Sequence, residues 1–270
     1  MKWGVKITFG MLVVSVLFST AVLGRNLWMQ EKEQMKFEDL RERIYSEKGK
    51  SNLKVHANMR GHKAIEGMVV EERVVLPEFQ EIAKENPDFV GWISIEGTNI
   101  DYPVMQTTWE PEYYLHRNFA GDYSYAGIPF VGTGDLKAEG GDLFIYGHNM
   151  KNGTMFADLL NYLEEQYFEE HPIICLDTLS ERRKYEVFAV LDVRDEEWIR
   201  EGALFYNFEN DLIMNRSEYM KKLENCSLYQ RELMINQQGK LLFLVTCSYR
   251  KKNGRIVVVG RNIEQAVSGQ

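Results

Sequence analysis

The sequence predicts a mostly β globular domain with inserted helices, carried behind N-terminal helices. Three observations predict it. An uncharged run of 18 residues, Ile7–Gly24, lies near the N-terminus. Eight short apolar or alternating runs are spread over residues 89–261, and two stretches of helical spacing interrupt them. With 270 residues, 44% hydrophobic and 12% aromatic, the chain can bury the core of one substantial domain, which excludes wholesale disorder. Its 32 bases against 40 acids, a net charge of −8, lack the basic excess of a nucleic-acid binder. Three cysteines exclude a disulfide framework.

The N-terminal run comes first. As a helix, Ile7–Gly24 would extend about 27 Å, close to the ~30 Å hydrocarbon core of a bilayer. Lys2 and Lys6 precede it, so the positive-inside rule makes residues 1–6 cytoplasmic, residues 7–24 a transmembrane signal-anchor and the body external. A cleaved signal peptide and a buried helix are the alternatives. Ser19-Thr20-Ala21 offers small residues for cleavage, but Val22-Leu23 continues the apolar run. Residues 25–73 read as a juxtamembrane helix and linker. Glu31 to Lys50 holds six acids and six bases, with Phe37, Leu40 and Ile44 spaced for one helical face and Asp39 placed to meet Arg43. A solvated spacer is favoured over a partner-binding helix, and residues 49–71 read as linker.

Residues 74–270 form the globular domain. Pro77 to Asn86 reads as a short helix stopped by Asn86-Pro87. The strand candidates are Phe89–Ile95, Ile100–Met105, Gly127–Val131, Leu143–Tyr146, Ile173–Asp177, Tyr185–Val193, Leu241–Cys247 and Arg255–Arg261. Eight such runs point to an antiparallel barrel or sandwich. Thr154–Glu170, with Phe156, Leu159, Leu160 and Leu163 on one face, and Asp211–Leu223 are the helical interruptions.

The last two strands carry the first chemical signal. Ser248–Gly254 between them is polar and ends in Asn253-Gly254, so a hairpin is the economical reading. Pairing symmetric about Lys251 sets Cys247 opposite Arg255, where side chains share a face. Positive charge beside a thiol favours the nucleophilic thiolate, and a guanidinium fork suits an oxyanion. An accidental buried neighbour is the competing reading of that pair. A cysteine nucleophile needs an acid–base partner, usually histidine. His148 follows the apolar strand Leu143–Tyr146 through Gly147, where a strand end delivers a side chain to a cleft. His116, after Tyr113-Tyr114-Leu115, reads as a packed or hydrogen-bonded structural residue, and His171 before Pro172 as a helix terminus. His56 and His62 read as solvated. No cofactor or metal is expected: there is no CxxC, HExxH, GxGxxG or Walker pattern. Cys175 reads as a small core residue, and a Cys175–Cys226 bridge stays open.

Several segments then resemble one family. Leu244-Val245-Thr246-Cys247, with Arg255 eight residues on in Gly-Arg-Ile-Val-Val-Val-Gly-Arg, resembles the signature of the sortase transpeptidases. Tyr146-Gly147-His148-Asn149-Met150 with Gly153-Thr154-Met155-Phe156 is similar to the histidine region of class B sortases. Gly91-Trp92-Ile93, Gly97 to Val104 and Tyr113-Tyr114-Leu115 are similar to that class's opening segments. The family's TLxTC motif has threonine where Phe243 stands, and class B often has serine at Val245. The resemblance covers about residues 76–261. It implies a sortase-type eight-stranded β-barrel, with residues 195–236 as the class B insertion between the sixth and seventh strands.

It also implies catalytic roles for His148, Cys247 and Arg255 in a membrane-anchored cysteine transpeptidase with an extracellular domain. Its substrates would be secreted proteins with a C-terminal sorting motif, cleaved after Thr. The acyl product would pass to an amine of peptidoglycan or another protein. A cysteine peptidase or amidase of cell-wall peptides, with water as acceptor, is the alternative, and a non-enzymatic scaffold the third class.

Overall fold

β-Branched and aromatic residues fill the eight apolar runs, and each run becomes a strand of one sheet. The computed structural model describes residues 2–58, 75–134, 136, 141–194, 216–229, 231 and 240–263. The chain divides into two compact units, Met1–Tyr45 and Ser46–Gln270. Helix α1 (Lys2–Asn58) is continuous. In the first unit it exposes Met11, Leu12, Val14, Leu17, Phe18 and Leu23, and it is long and apolar enough to cross a membrane. Its end at Asn58 makes Gly49 and Asn52, read as linker, helical; residues 59–74 lie outside the described residues.

In the second unit a 3₁₀ turn, Pro77–Phe79, leads into α2 (Gln80–Glu85), which stops where Asn86 turns extended before Pro87. The strands are β1 (Phe89–Ile95), β2 (Asp101–Met105), β3 (Phe130–Thr133), β4 (Leu143–Tyr146), β5 (Ile173–Thr178), β6 (Arg182–Arg194), β7 (Leu241–Ser248) and β8 (Gly254–Asn262). They close into a barrel in the order β1-β2-β3-β4-β7-β8-β6-β5. Two of its pairings, β2–β3 and β4–β7, are parallel, so the sheet is mixed and not wholly antiparallel. The third strand starts three residues later than its apolar run. Gly127 has φ 59°, outside the strand region, and the Ile128 N–H bonds the Tyr114 carbonyl in place of a ladder partner.

The 154–170 stretch is not one α-helix. Ala157–Leu163 is a 3₁₀ helix, Glu164 is extended, and α3 (Glu165–Glu170) follows. From Phe156 to Leu163 the buried residues are Phe156, Leu159 and Tyr162, a period of three that fits 3₁₀ geometry better than the 156/159/160/163 stripe. α4 (Arg216–Cys226) occupies part of the expected Asp211–Leu223 helix, whose first residues lie outside the described ones.

Alternation along β7 sorts its side chains between two buried faces, and only Cys247 is half-buried. Leu241, Phe243 and Val245 join Val257 and Val259 of β8, Phe144 of β4 and Leu191 of β6 in one cluster, covered by Tyr219, Met220 and Leu223 of α4. Phe243 stacks on Phe144 with centroids 4.1 Å apart and planes 3° from parallel. Phe243 therefore fills a layer under α4. Two residues beyond Val245 and Val257, the same face carries Cys247 and Arg255. Phe243→Ala should cost about 3–5 kcal/mol, read as a lower denaturant midpoint at unchanged slope. An unshifted midpoint would show that the stacked layer does not support the fold.

Candidate active site

Three neighbouring strands deliver the candidate residues to one end of the barrel. In the antiparallel pair β7–β8, Cys247 lies directly opposite Arg255, the register read from the hairpin. The connection between them is held by Lys251, whose Nζ contacts Asp192 Oδ2 at 3.2 Å and its carbonyl at 2.9 Å. On the other side of β7, parallel β4 pairs Tyr146 with Val245. The pairing continues past the strand end. Gly147 N–H donates to the Val245 carbonyl at 3.1 Å, and Thr246 Oγ1 donates to the Gly147 carbonyl at 2.8 Å. His148 therefore stands level with Cys247. Asn149 Nδ2 closes the link by donating to the Cys247 carbonyl at 3.0 Å.

Why the chain turns here is set locally. A Cβ at Gly147 would come within 2.7 Å of the Phe156 ring, so glycine lets the strand end lie against that buried aromatic. The Phe156 N–H then bonds the His148 carbonyl at 2.9 Å, and Asn149 bridges Met155. Cys247, His148 and Arg255 are each half-buried, as residues at a cleft edge must be. Arg255 Nη1 also bonds the Gly254 carbonyl at 3.1 Å.

The electrostatics of His148 come from the β2–β3 connection. Its Nε2 lies 2.9 Å from the Leu115 carbonyl. A carbonyl only accepts, so Nε2 carries the proton and the neutral ring keeps its lone pair on Nδ1. Leu115 is itself held by Gly127, where any Cβ would run into the Leu115 oxygen. Burial lowers the His148 pKa below the ordinary imidazole value; the Leu115 hydrogen bond works the other way, and the neighbouring His116 lowers it further. That direction favours the neutral imidazole over the imidazolium.

Sequence spacing identifies His148, Cys247 and Arg255 but not Leu115, His116 or Asn149. Asn149 sits in the motif segment beside His148 and was detectable there. Leu115 acts through a backbone carbonyl 33 residues away, which no side-chain signal reports. His116 is exposed, yet its ring is packed between those of His148 and Tyr123. His171 caps α3, as its Pro172 neighbour requires, with Nδ1 2.9 Å from the Glu96 carbonyl. Cys175 is half-buried instead of core, because β5 alternation buries Ile174 and Leu176 and turns Cys175 to the opposite face. It is not bridged to Cys226, which is exposed. His56 lies within α1, and His62 lies outside the described residues.

A Sortase domain family model matches residues 93–263. Sortase B of Listeria monocytogenes is 31% identical over 194 residues, covering 69% of this chain and 74% of that protein. Among solved structures, sortase B of Clostridium perfringens is 32% identical with a TM-score of 0.60, over 68% of this chain and 99% of that one. A sortase B complexed with triglycine is 26% identical with a TM-score of 0.67, over 87% of this chain and 98% of that one.

A lowered folded-state pKa on a cationic acid has a defined sign. As pH falls through about 6.5, the unfolded chain takes up the His148 proton before the folded one does, so stability falls; the loss ends below the folded-state value. Denaturant midpoints at pH 7.5 and pH 5 should therefore differ less in His148→Gln than in the parent. An equal difference would show that His148 is not held neutral by the fold.

Proposed function

The chain belongs to the sortase family, in its class B branch, and from that premise we propose a membrane-anchored enzyme that cleaves a C-terminal sorting motif after Thr and hands the acyl group to an amine. The cysteine transpeptidase activity is that of the family. The sorting-motif substrate, the peptidoglycan or protein amine, the anchoring by residues 7–24 and the extracellular placement of residues 74–270 are the proposal. The observation that carries the site assignment is the pairing of Cys247 with Arg255 on strands adjoining the one that ends at His148.

Each residue has a defined task in that reading. His148 Nδ1 takes the thiol proton as Cys247 Sγ attacks the threonine carbonyl. Arg255 meets the developing oxyanion with its fork of donors. The C–N bond then breaks, a thioester forms on Sγ, and the imidazolium gives its proton to the leaving amine. In the second half, neutral His148 takes a proton from the incoming amine as its nitrogen attacks the thioester. The new amide forms, the C–S bond breaks, and the Cys247 sulfur recovers its proton. A small peptide amine is an apt acceptor, since a related sortase B is solved with triglycine.

An N-terminal span supports this chemistry by confinement. Exposed Met11, Leu12, Leu17 and Phe18 on α1 favour a bilayer over water. A tethered catalytic domain meets substrates at the same surface at raised effective concentration.

Residues 26–270 mixed with sorting peptides and candidate amines should give a peptide–amine adduct by mass spectrometry. Release of the free acid alone would assign a peptidase using water. Cys247→Ala should abolish turnover while the thermal midpoint stays nearly unchanged. Arg255→Lys should lower kcat/KM about 100-fold, because an ammonium cannot reproduce the planar fork. Full turnover in either variant would remove that residue from the mechanism.

A further inference from the structure

His116 ends the 3₁₀ turn Tyr113–His116. Its ring is stacked on His148, centroids 5.2 Å apart and planes 29° from parallel. Tyr123 stacks in turn on His116 at 6.3 Å and 27°. The backbone fixes this column of three rings. Ser124 N–H donates to the His116 carbonyl at 3.0 Å, and Arg117 and Tyr123 form an antiparallel bridge. Asn118 Oδ1 accepts from the Ala120 and Asp122 N–H groups at 3.0 and 3.1 Å, closing the turn. Two adjacent residues thus hold one imidazole, Leu115 through its ring nitrogen and His116 on its face.

We propose that His116 is a positioning residue for His148: its ring sets the plane of the imidazole that exchanges protons with Cys247, and its own charge opposes a charge there. The inference rests on the role given to His148 above. A ring with one nitrogen bonded to a carbonyl can still rotate about that bond, and a stacked neighbour removes that freedom. The second effect is electrostatic. Like charges at this separation repel, so a positive charge on the His116 ring opposes one on His148. Among the described residues, Tyr123 stacks on His116 and Arg117 and Asp122 belong to the same turn, while Cys247 and Arg255 lie on the neighbouring strands β7 and β8. Arg117 is held at the Gly121 carbonyl at 3.0 Å and over the Tyr113 ring at 4.6 Å.

His116→Phe keeps an aromatic face and removes the charge, and His116→Ala removes both. The His148 Cε1–H resonance, titrated by NMR in the folded enzyme without substrate, should show a midpoint raised by about 0.3 unit or more in H116F. With a sorting peptide, the acid limb of kcat/KM should move up in the same variant. At pH 8, kcat should fall about fivefold in H116A with KM little changed, and H116F should restore most of it. An unmoved His148 midpoint in H116F, or parental kcat in H116A, would overturn the proposal. The NMR midpoint needs no turnover, so it separates this failure from failure of the catalytic assignment, which shows as full activity in His148→Ala.

Discussion

The site depends on one pairing, the parallel ladder between β4 and β7. Leu143 to Tyr146 lie beside Leu242 to Val245, and the register carries past both motifs through Gly147 and Thr246. Antiparallel β8 lies on the other edge of β7 and supplies Arg255 opposite Cys247. A parallel pair cannot be closed by a tight turn and needs a long crossover. Here the crossover holds α3, β5, β6 and α4, so 98 residues lie between His148 and Cys247. The geometry of three side chains is therefore a property of the whole barrel. A change that slips β7 by one residue would send Cys247 to the opposite face of the sheet.

Around that ladder the supporting groups are mostly backbone and amide. Asn149 ties the histidine loop to the nucleophile's carbonyl, and the Leu115 carbonyl selects the His148 tautomer. Such groups orient a reactive side chain without adding charge beside it. Half-burial lowers the His148 pKa, which favours the neutral ring that the proposed base role requires. The apolar layer under α4 continues along the same strands. Phe144, Phe243, Val245 and Val257 stiffen the sheet up to the residue at which Cys247 and Arg255 emerge.

Much of this was legible in the residues. Strongly apolar strand runs, such as Phe89–Ile95 and Leu143–Tyr146, keep the bounds their sequence suggests, because burial on both faces pins them. The Cys247–Arg255 register followed from hairpin symmetry, as local pairing is encoded locally. The errors lie where tertiary packing overrides local pattern. At 154–170 a period of three mimicked an α-helical stripe. At Gly127 a close approach to Leu115, invisible in the chain order, displaced the strand start. Parallel pairing and the roles of Leu115 and His116 arise between segments far apart in sequence, and no local spacing reports them.

The central claim is that Cys247, alone among the three cysteines, forms the acyl-enzyme beside His148 and Arg255. Intact mass spectrometry after mixing with a sorting peptide, with no amine present, tests it most directly. The expected result is a mass increase equal to the acyl fragment ending in Thr, removed by hydroxylamine and mapped to the peptide containing Cys247. An adduct mapped to Cys175 or Cys226, or cleavage of the peptide by an enzyme lacking the Cys247 sulfur, would contradict it.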